Sequence, residues 1–259
     1  MDNLIDIRNH NVLVFDIETV NEFKTFQEFK EYNPVLAEEY IKKFETEIND
    51  LTPGKFEIDF KANNHYTQNG ALYPEYGKVI SCSFTTVKFE PSEEVFNKVT
   101  KSFKSHNESE LLKDINRVFE KDGWIYSGMN LNLFDIPYLL KRMAIHGIKP
   151  SKRLINQVFS KPWEKQIIDI ADIWAFGGFG KGSRSVKLGA ICSTLGINTP
   201  KDGVSGPDVP FYYWTGECYR IYGNEVHDQD KALEIIDEYC KKDTEATANC
   251  LIRLNELLF

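Results

Sequence analysis

The order of apolar runs and amphipathic segments predicts an α/β fold, a mixed five-stranded central sheet flanked by helices. Three observations carry this expectation. Val12 to Phe15 form a short continuous apolar run of the kind that makes a buried strand. Two further β-rich runs follow at 78–89 and 95–104, and amphipathic helical segments then alternate with shorter apolar runs. With 259 residues, 42% of them hydrophobic, the chain is long enough to bury a substantial core. No break in composition divides it, so one domain over 1–259 is expected, carrying an insertion at about 21–77.

Residues 12–17 read as the first strand. The charged and aromatic stretch 21–77 contains an expected helix near 34–49 and a turn at Thr52-Pro53-Gly54; an excursion of this length is usually functional or a packed accessory element. After strands at 78–89 and 95–104, Leu111, Leu112, Ile115, Val118 and Phe119 fall at helical spacing within 107–121. Asn107, with Glu110 three residues on, resembles an N-terminal cap. Residues 124–127 read as a short strand feeding the segment that ends at Asp135, and Tyr138, Leu139, Met143 and Ile145 mark the helix beyond it, with Pro137 suited to its first turn. A strand is expected over 167–174, a glycine-rich basic loop over 177–185, and a helix over 186–195 that stops at Gly196. Residues 202–210 read as a loop, and 228–258 as one long helix.

Several classes are disfavoured. No apolar segment reaches the ~18–20 residues needed to span a bilayer, and none follows a basic N-terminal stretch, so a soluble, unexported, cytoplasmic protein with no membrane partner is expected. Cysteines at 82, 192, 218, 240 and 250 are odd in number, and none forms a Cys-x-x-Cys pair. Reduced thiols are expected rather than a disulfide framework or a zinc knuckle. Glycine rather than Ser or Thr follows Gly180-Lys181, which excludes a Walker loop. The five histidines show no paired ligand spacing.

Four acids and a tyrosine stand apart from this background. Asp16 and Glu18 are two apart at the end of a strand and share a face. Tyr239 and Asp243 are four apart on a helix and share a face. Asp135 opens a helix after Asn130-Leu131-Asn132-Leu133-Phe134. Two carboxylates ~4 Å apart repel by ~4 kcal/mol at an effective dielectric of about 20, so four converging acids need counter-charge. Hard divalent cations supply it. Oxygen ligands select Mg²⁺ or Mn²⁺, and a pair of such ions about 3.5–4 Å apart suits phosphodiester cleavage. The net charge of −8 argues against simple phosphate binding, softened by the positive charge that two cations would return to the site. Asp16-x-Glu18 alone is a weak signal, since strand ends often carry solvated acids; its weight comes from Asp135 and Asp243 following in order.

These residues resemble a known family. Asp16-Ile17-Glu18-Thr19 is similar to the first motif of the DEDD exonucleases, which share the ribonuclease H-like fold. Gly128-Met129-Asn130-Leu131-Asn132-Leu133-Phe134-Asp135-Ile136-Pro137-Tyr138-Leu139 resembles the second motif of family B DNA polymerase proofreading domains, and Tyr239-Cys240-Lys241-Lys242-Asp243 the third motif of the tyrosine-bearing subgroup. Weaker similarity at 188–197 and 205–209 extends the likeness over most of 12–255, and it is greatest to the free-standing exonucleases related to those proofreading domains. The histidine-bearing subgroup is excluded, because Glu238 stands where its histidine would be.

The resemblance implies a 3′-to-5′ exonuclease that acts on single-stranded DNA ends and releases nucleoside monophosphates with two Mg²⁺, Mn²⁺ substituting. Asp16 would bridge the metals, Glu18 and Asp243 would complete the catalytic-metal site, Asp135 would support the second metal, and Tyr239 would orient the attacking water. Asn130, Phe134 and Thr19 would contact the terminal nucleotides. Lys181 and Arg184 are the candidates for strand-backbone contact. Met129 departs from the aromatic or histidine often found before the motif asparagine. A DNA polymerase or another replication or repair protein is an expected partner in trans. Two alternatives remain open: an exoribonuclease, since nothing here reads the 2′-hydroxyl, and a catalytically idle nucleic-acid- or polymerase-binding module.

Overall fold

The computed structural model describes residues 5–51, 57–161, 164, 166–176, 186–198, 205–216 and 228–259. Strand β1 (Asn11–Asn21) leads into four helices, α1 (Phe26–Tyr32), α2 (Pro34–Lys43), α3 (Glu45–Leu51) and α4 (Ile58–Asn69), and a one-turn 3-10 helix, Gly70–Leu72. Strands β2 (Gly77–Glu90) and β3 (Val95–Lys104) follow, then α5 (Glu108–Phe119), β4 (Trp124–Gly128), α6 (Asp135–Ile145), α7 (Lys152–Phe159) and β5 (Ile167–Asp169). The described chain ends with α8 (Ile170–Trp174), α9 (Leu188–Leu195), α10 (Val209–Thr215) and α11 (Gln229–Leu258).

The strands form the expected mixed five-stranded sheet, in the order β3-β2-β1-β4-β5. β1 pairs antiparallel with β2, and β2 with β3, whereas β1–β4 and β4–β5 are parallel. β1 is the central strand, and its alternation feeds two cores. Leu13, Phe15 and Ile17 pack with Leu111, Leu112, Ile115 and Phe119 of α5 and with Leu139 and Met143 of α6. Val12 and Val14 pack on the other face with Ile191 and Cys192 of α9 and with Cys250, Leu251 and Leu254 of α11. Burying each such side chain is worth ~1.5–3 kcal/mol, so both helical layers are held by β1 itself.

Three expectations need correction. The helix expected near 34–49 is two helices that break at Phe44, the C-cap of α2. The strand expected over 167–174 ends at Asp169, whose side chain accepts the Ala171 N–H and caps α8; the short apolar run did not distinguish strand from helix. The 202–210 loop carries, in its described part, a 3-10 turn at Gly206–Asp208 and the first residues of α10. Lys181, Arg184 and the 177–185 loop lie outside the described residues.

Helices α1–α4 enclose an aromatic cluster of Phe26, Phe29, Tyr40, Phe44, Tyr66 and Tyr76. This element is fastened to the sheet by polar contacts. The Asn21 side chain donates to the Tyr66 carbonyl (3.0 Å), and the Arg142 guanidinium on α6 donates to the Pro74 carbonyl (2.9 Å) and to Glu22 (2.6 Å). Arg142 also forks onto Glu108 of α5. The two ends of the segment and two sheet-covering helices thus meet at one buried cation.

Candidate active site

The site lies at the carboxyl end of β1, where α11 crosses the sheet and α6 begins. Asp16 and Glu18 project from the face of β1 that also carries Val12 and Val14; Glu18 is buried and Asp16 half-buried. Regular pairing with β2 is interrupted just beyond them, with Glu18 opposite Ser81 and Thr19 opposite Val79, a local irregularity of the kind found beside active sites. Asp135, at the first turn of α6, is 2% exposed and accepts the Ile17 N–H (3.1 Å), which brings it between the two β1 acids along the backbone. Asp243 and Tyr239 come from α11, and the tyrosine hydroxyl donates to the Asp243 carboxylate.

The structure therefore brings Asp16, Glu18, Asp135, Tyr239 and Asp243 together from three elements. Their electrostatics show the consequence. Desolvation pushes the Asp16 carboxyl well above the usual carboxylate range, and the charges of Asp135, Glu18 and Asp243 push it further. Glu18 is raised by burial, then by Asp243 and Asp135. Burial lifts Asp135 to about 7 and Asp243 to about 6. The Tyr239 phenol is held far on its protonated side by burial and by the charges of Glu18 and Asp243.

Other expected residues are placed nearby. Thr19 donates its hydroxyl to the Ala71 carbonyl (2.9 Å), as does Tyr138 (3.0 Å), so the 3-10 turn that ends the helical segment is clipped beside the site. Asn130 sits in the loop before α6 with a left-handed backbone (φ 59°), and half-buried Phe134 packs its ring 5.3 Å from that of Tyr138.

Three participants escaped sequence reasoning. Cys240 places its sulfur with carboxylate oxygens of Asp16 and Glu18 inside a 4.8 Å cluster, and the thiol lies 3.5 Å from the Asp16 carbonyl. Ser83 lies directly opposite Asp16 in β2 and keeps a fully buried hydroxyl with no partner among the described residues. The alternation of Ser81, Ser83 and Thr85 was the available signal: small polar residues on one face of an otherwise apolar strand. Asp169 binds the Asn130 loop, and nothing in its local sequence announces that.

The donor set suits hard divalent cations. Four carboxylates supply its oxygens, with no Lys or Arg among the described residues that set their protonation, and the Cys240 thiol beside them is held on its protonated side by burial, which makes it a poor ligand. The orphaned Ser83 hydroxyl adds a buried polar atom that a hydrated ion would satisfy.

A mixed sheet covered by helices, with acids converging at the end of its central strand, defines a ribonuclease H-like protein. Consistent with this, the family model of the RNase_H superfamily matches residues 71–255, and the chain belongs to that superfamily. The match begins after β1, so Asp16 and Glu18 lie outside it. Among solved structures, the chain is similar to the family B DNA polymerase from the hyperthermophilic archaeon Pyrobaculum calidifontis, with a TM-score of 0.51 and 14% identity over 94% of this chain. That likeness concerns the fold, and the chain spans 24% of the polymerase. No curated protein sequence matches the chain. Among the described residues no helix is long and apolar enough to cross a membrane.

Proposed function

We propose that the protein is a metal-dependent 3′-to-5′ exonuclease of the tyrosine-bearing DEDD type, acting on single-stranded DNA ends. One observation carries the reading: Asp16, Glu18, Asp135 and Asp243 converge, uncompensated, beside a protonated Tyr239. Superfamily membership and a fold shared with a DNA polymerase support it.

Asp16, Glu18 and Asp243 would hold one Mg²⁺, and Asp16 with Asp135 a second. When bound, such ions lower the pKa of water and stabilise the attacking and leaving oxygens of the phosphate. The remaining steps belong to the chain. Tyr239 keeps its proton, donates it in a hydrogen bond to Asp243, and offers its oxygen to position the attacking water; it is far too weak an acid to serve as the base. Asn130 and Phe134, in the loop before α6, and Thr19 on β1 would contact the terminal nucleotides. Lys181 and Arg184 are proposed for the strand backbone on sequence grounds alone. More than half of the net charge of −8 comes from residues 21–77, which directs a phosphate strand away from that segment and towards the cation site. A polymerase or repair protein acting in trans would supply processivity.

The test is degradation of 5′-labelled single-stranded DNA and RNA of equal sequence in Mg²⁺, with EDTA and Asp243→Ala as controls. A ladder growing from the 3′ end of DNA is expected, absent in both controls. Preference for RNA would make the protein an exoribonuclease, and binding without a ladder in Mg²⁺ and Mn²⁺ would make it a binding module. Tyr239→Phe should retain a rate ~10–10²-fold below wild type, because it removes orientation and leaves metal activation intact.

A further inference from the structure

Asp169, which ends β5, is a buried carboxylate (5% exposed) that forms no salt bridge among the described residues and has no part in the chemistry above. Its acceptors are spent on backbone. Oδ1 takes the N–H of Asn130 (3.0 Å) and of Ala171 (3.0 Å), and Oδ2 takes the N–H of Asn132 (3.2 Å). Asp169 stands opposite Gly128, the last residue of parallel strand β4. A single side chain thus ties the carboxyl end of β5 to the loop that leads from β4 into α6.

That loop needs holding. Asn130 occupies the left-handed region (φ 59°), which L-residues adopt rarely, Asn more readily than most. The chain turns so tightly that a Cβ at Gly128 would lie 2.6 Å from Leu131 Cδ1 and 2.9 Å from the Phe15 carbonyl oxygen. The Asn130 carbonyl in turn accepts the N–H groups of Leu133 (2.9 Å) and Phe134 (3.0 Å), so the shape fixed at Asn130 sets where the Phe134 ring stands.

We propose that Asp169 is a positioning residue for substrate: its carboxylate locks the 130–134 loop in the shape that presents Asn130 and Phe134 to the terminal nucleotides of a single strand. The inference rests on the exonuclease reading and deepens it. Only a carboxylate serves here. An asparagine at 169 has one acceptor oxygen, and its NH₂ group would face a backbone N–H, so one of the two loop bonds becomes donor against donor in a side chain of the same size.

The test compares wild type, Asp169→Asn, Asn130→Ala and the double variant. It uses steady-state cleavage of a 5′-labelled single-stranded oligodeoxynucleotide, and fluorescence anisotropy of the same oligonucleotide with Ca²⁺ in place of Mg²⁺ to slow cleavage. Asp169→Asn should raise KM and weaken binding about tenfold, as expected when a buried N–H loses its acceptor, while kcat at saturation stays within about threefold of wild type. The double variant should bind no worse than the weaker single one, because both substitutions disable the same contact. A fall in kcat with KM unchanged, or losses that add across the double variant, would reduce Asp169 to a structural residue and overturn the inference. Should wild type cleave and bind DNA while these patterns fail, the exonuclease reading survives alone; should wild type neither bind nor cleave, both fall.

Discussion

Asp237 and Asp243 lie on one helix, α11, in opposite surroundings. Asp237 is 1% exposed, yet the upward push of burial is overcome by hydrogen bonds from Ser102, Ser81 and Lys241, and its carboxyl lies below the usual range. The Ser81 and Ser102 hydroxyls each donate at 2.8 Å, and Lys241 and Lys104 approach to 3.1 and 3.5 Å. Asp243 receives one phenol and is pushed up to about 6. The same contrast holds between Glu108, which takes the Arg142 fork, His146 and the Val79 N–H, and the Asp16–Glu18 pair, which meets further acids. The buried acids Asp237 and Glu108, which hold structure, are matched by cationic side chains, and Asp169 by three backbone N–H groups. Leaving four acids unneutralised in one place is costly, and it makes sense where an external cation completes the set.

Substitution at the uncompensated cluster should have the largest effect, and on activity alone. Asp16→Ala is expected to lower exonuclease turnover by at least about three orders of magnitude, since it removes a carboxylate that would hold the metal. In EDTA its melting temperature should equal or exceed wild type, because one of the mutually repelling acids is gone. A destabilised variant would show that Asp16 is a structural acid and collapse the contrast.

Asp237→Ala should behave in the opposite sense. It strands the Ser81 and Ser102 hydroxyls and releases Lys241 and Lys104, which are half-exposed and regain water. A loss of about 2 kcal/mol in chemical denaturation is expected, with specific activity per folded molecule retained.

The contrast also marks what the sequence could reveal. Asp16 with Glu18, and Tyr239 with Asp243, were legible because strand and helix periodicity put each pair on a shared face, whereas Asp135 stood out only by its place at the start of a helix and by the resemblance of its motif. The long α11 helix and the β2 and β3 strands followed from the same periodicities. What was not legible depended on topology. Asp169 looked like the middle of an apolar strand, Ile167 to Trp174, and only the parallel β4–β5 pairing shows that it faces the Asn130 loop. Arg142, Glu22 and Glu108 are distant in sequence, and no local pattern announces a buried cation that joins them. The helical breaks within 21–77 depend on how aromatic side chains pack on one another, which a single sequence leaves open.

The pH dependence of stability should separate the clusters further. Folding raises Asp135 and Asp243 from 3.8 to about 7 and about 6, so between about 4 and 7 the folded chain binds more protons than the unfolded one. Stability without metal should therefore fall as pH rises through that window, with the full cost present above it. Asp237, whose carboxyl is lowered, contributes stability above the unfolded value that is lost only as pH falls below it. Mg²⁺ should relieve the first effect and leave the second untouched. Melting curves at pH 5 and pH 8, in EDTA and in Mg²⁺, should show stabilisation by metal of several degrees at the higher pH and little at the lower. Equal stabilisation at both values would mean that the four acids are not what the metal contacts.

The smallest expected effect lies at Ser83, where the contrast is narrowest. Its buried hydroxyl has no partner among the described residues and stands across from Asp16, so in the metal-free chain it is a polar atom held in a dry place without return. Ser83→Ala should leave the metal-free protein as stable as wild type or more stable by up to about 1 kcal/mol. In Mg²⁺ the sign should reverse, because a hydroxyl that meets water on the ion becomes a lost contact, and Mg²⁺ affinity measured by calorimetry should weaken by a few-fold. If Ser83→Ala were equally stabilising with and without metal, the hydroxyl would have no role at the cation site, and the case for a hydrated ion beside Asp16 would rest on the carboxylates alone.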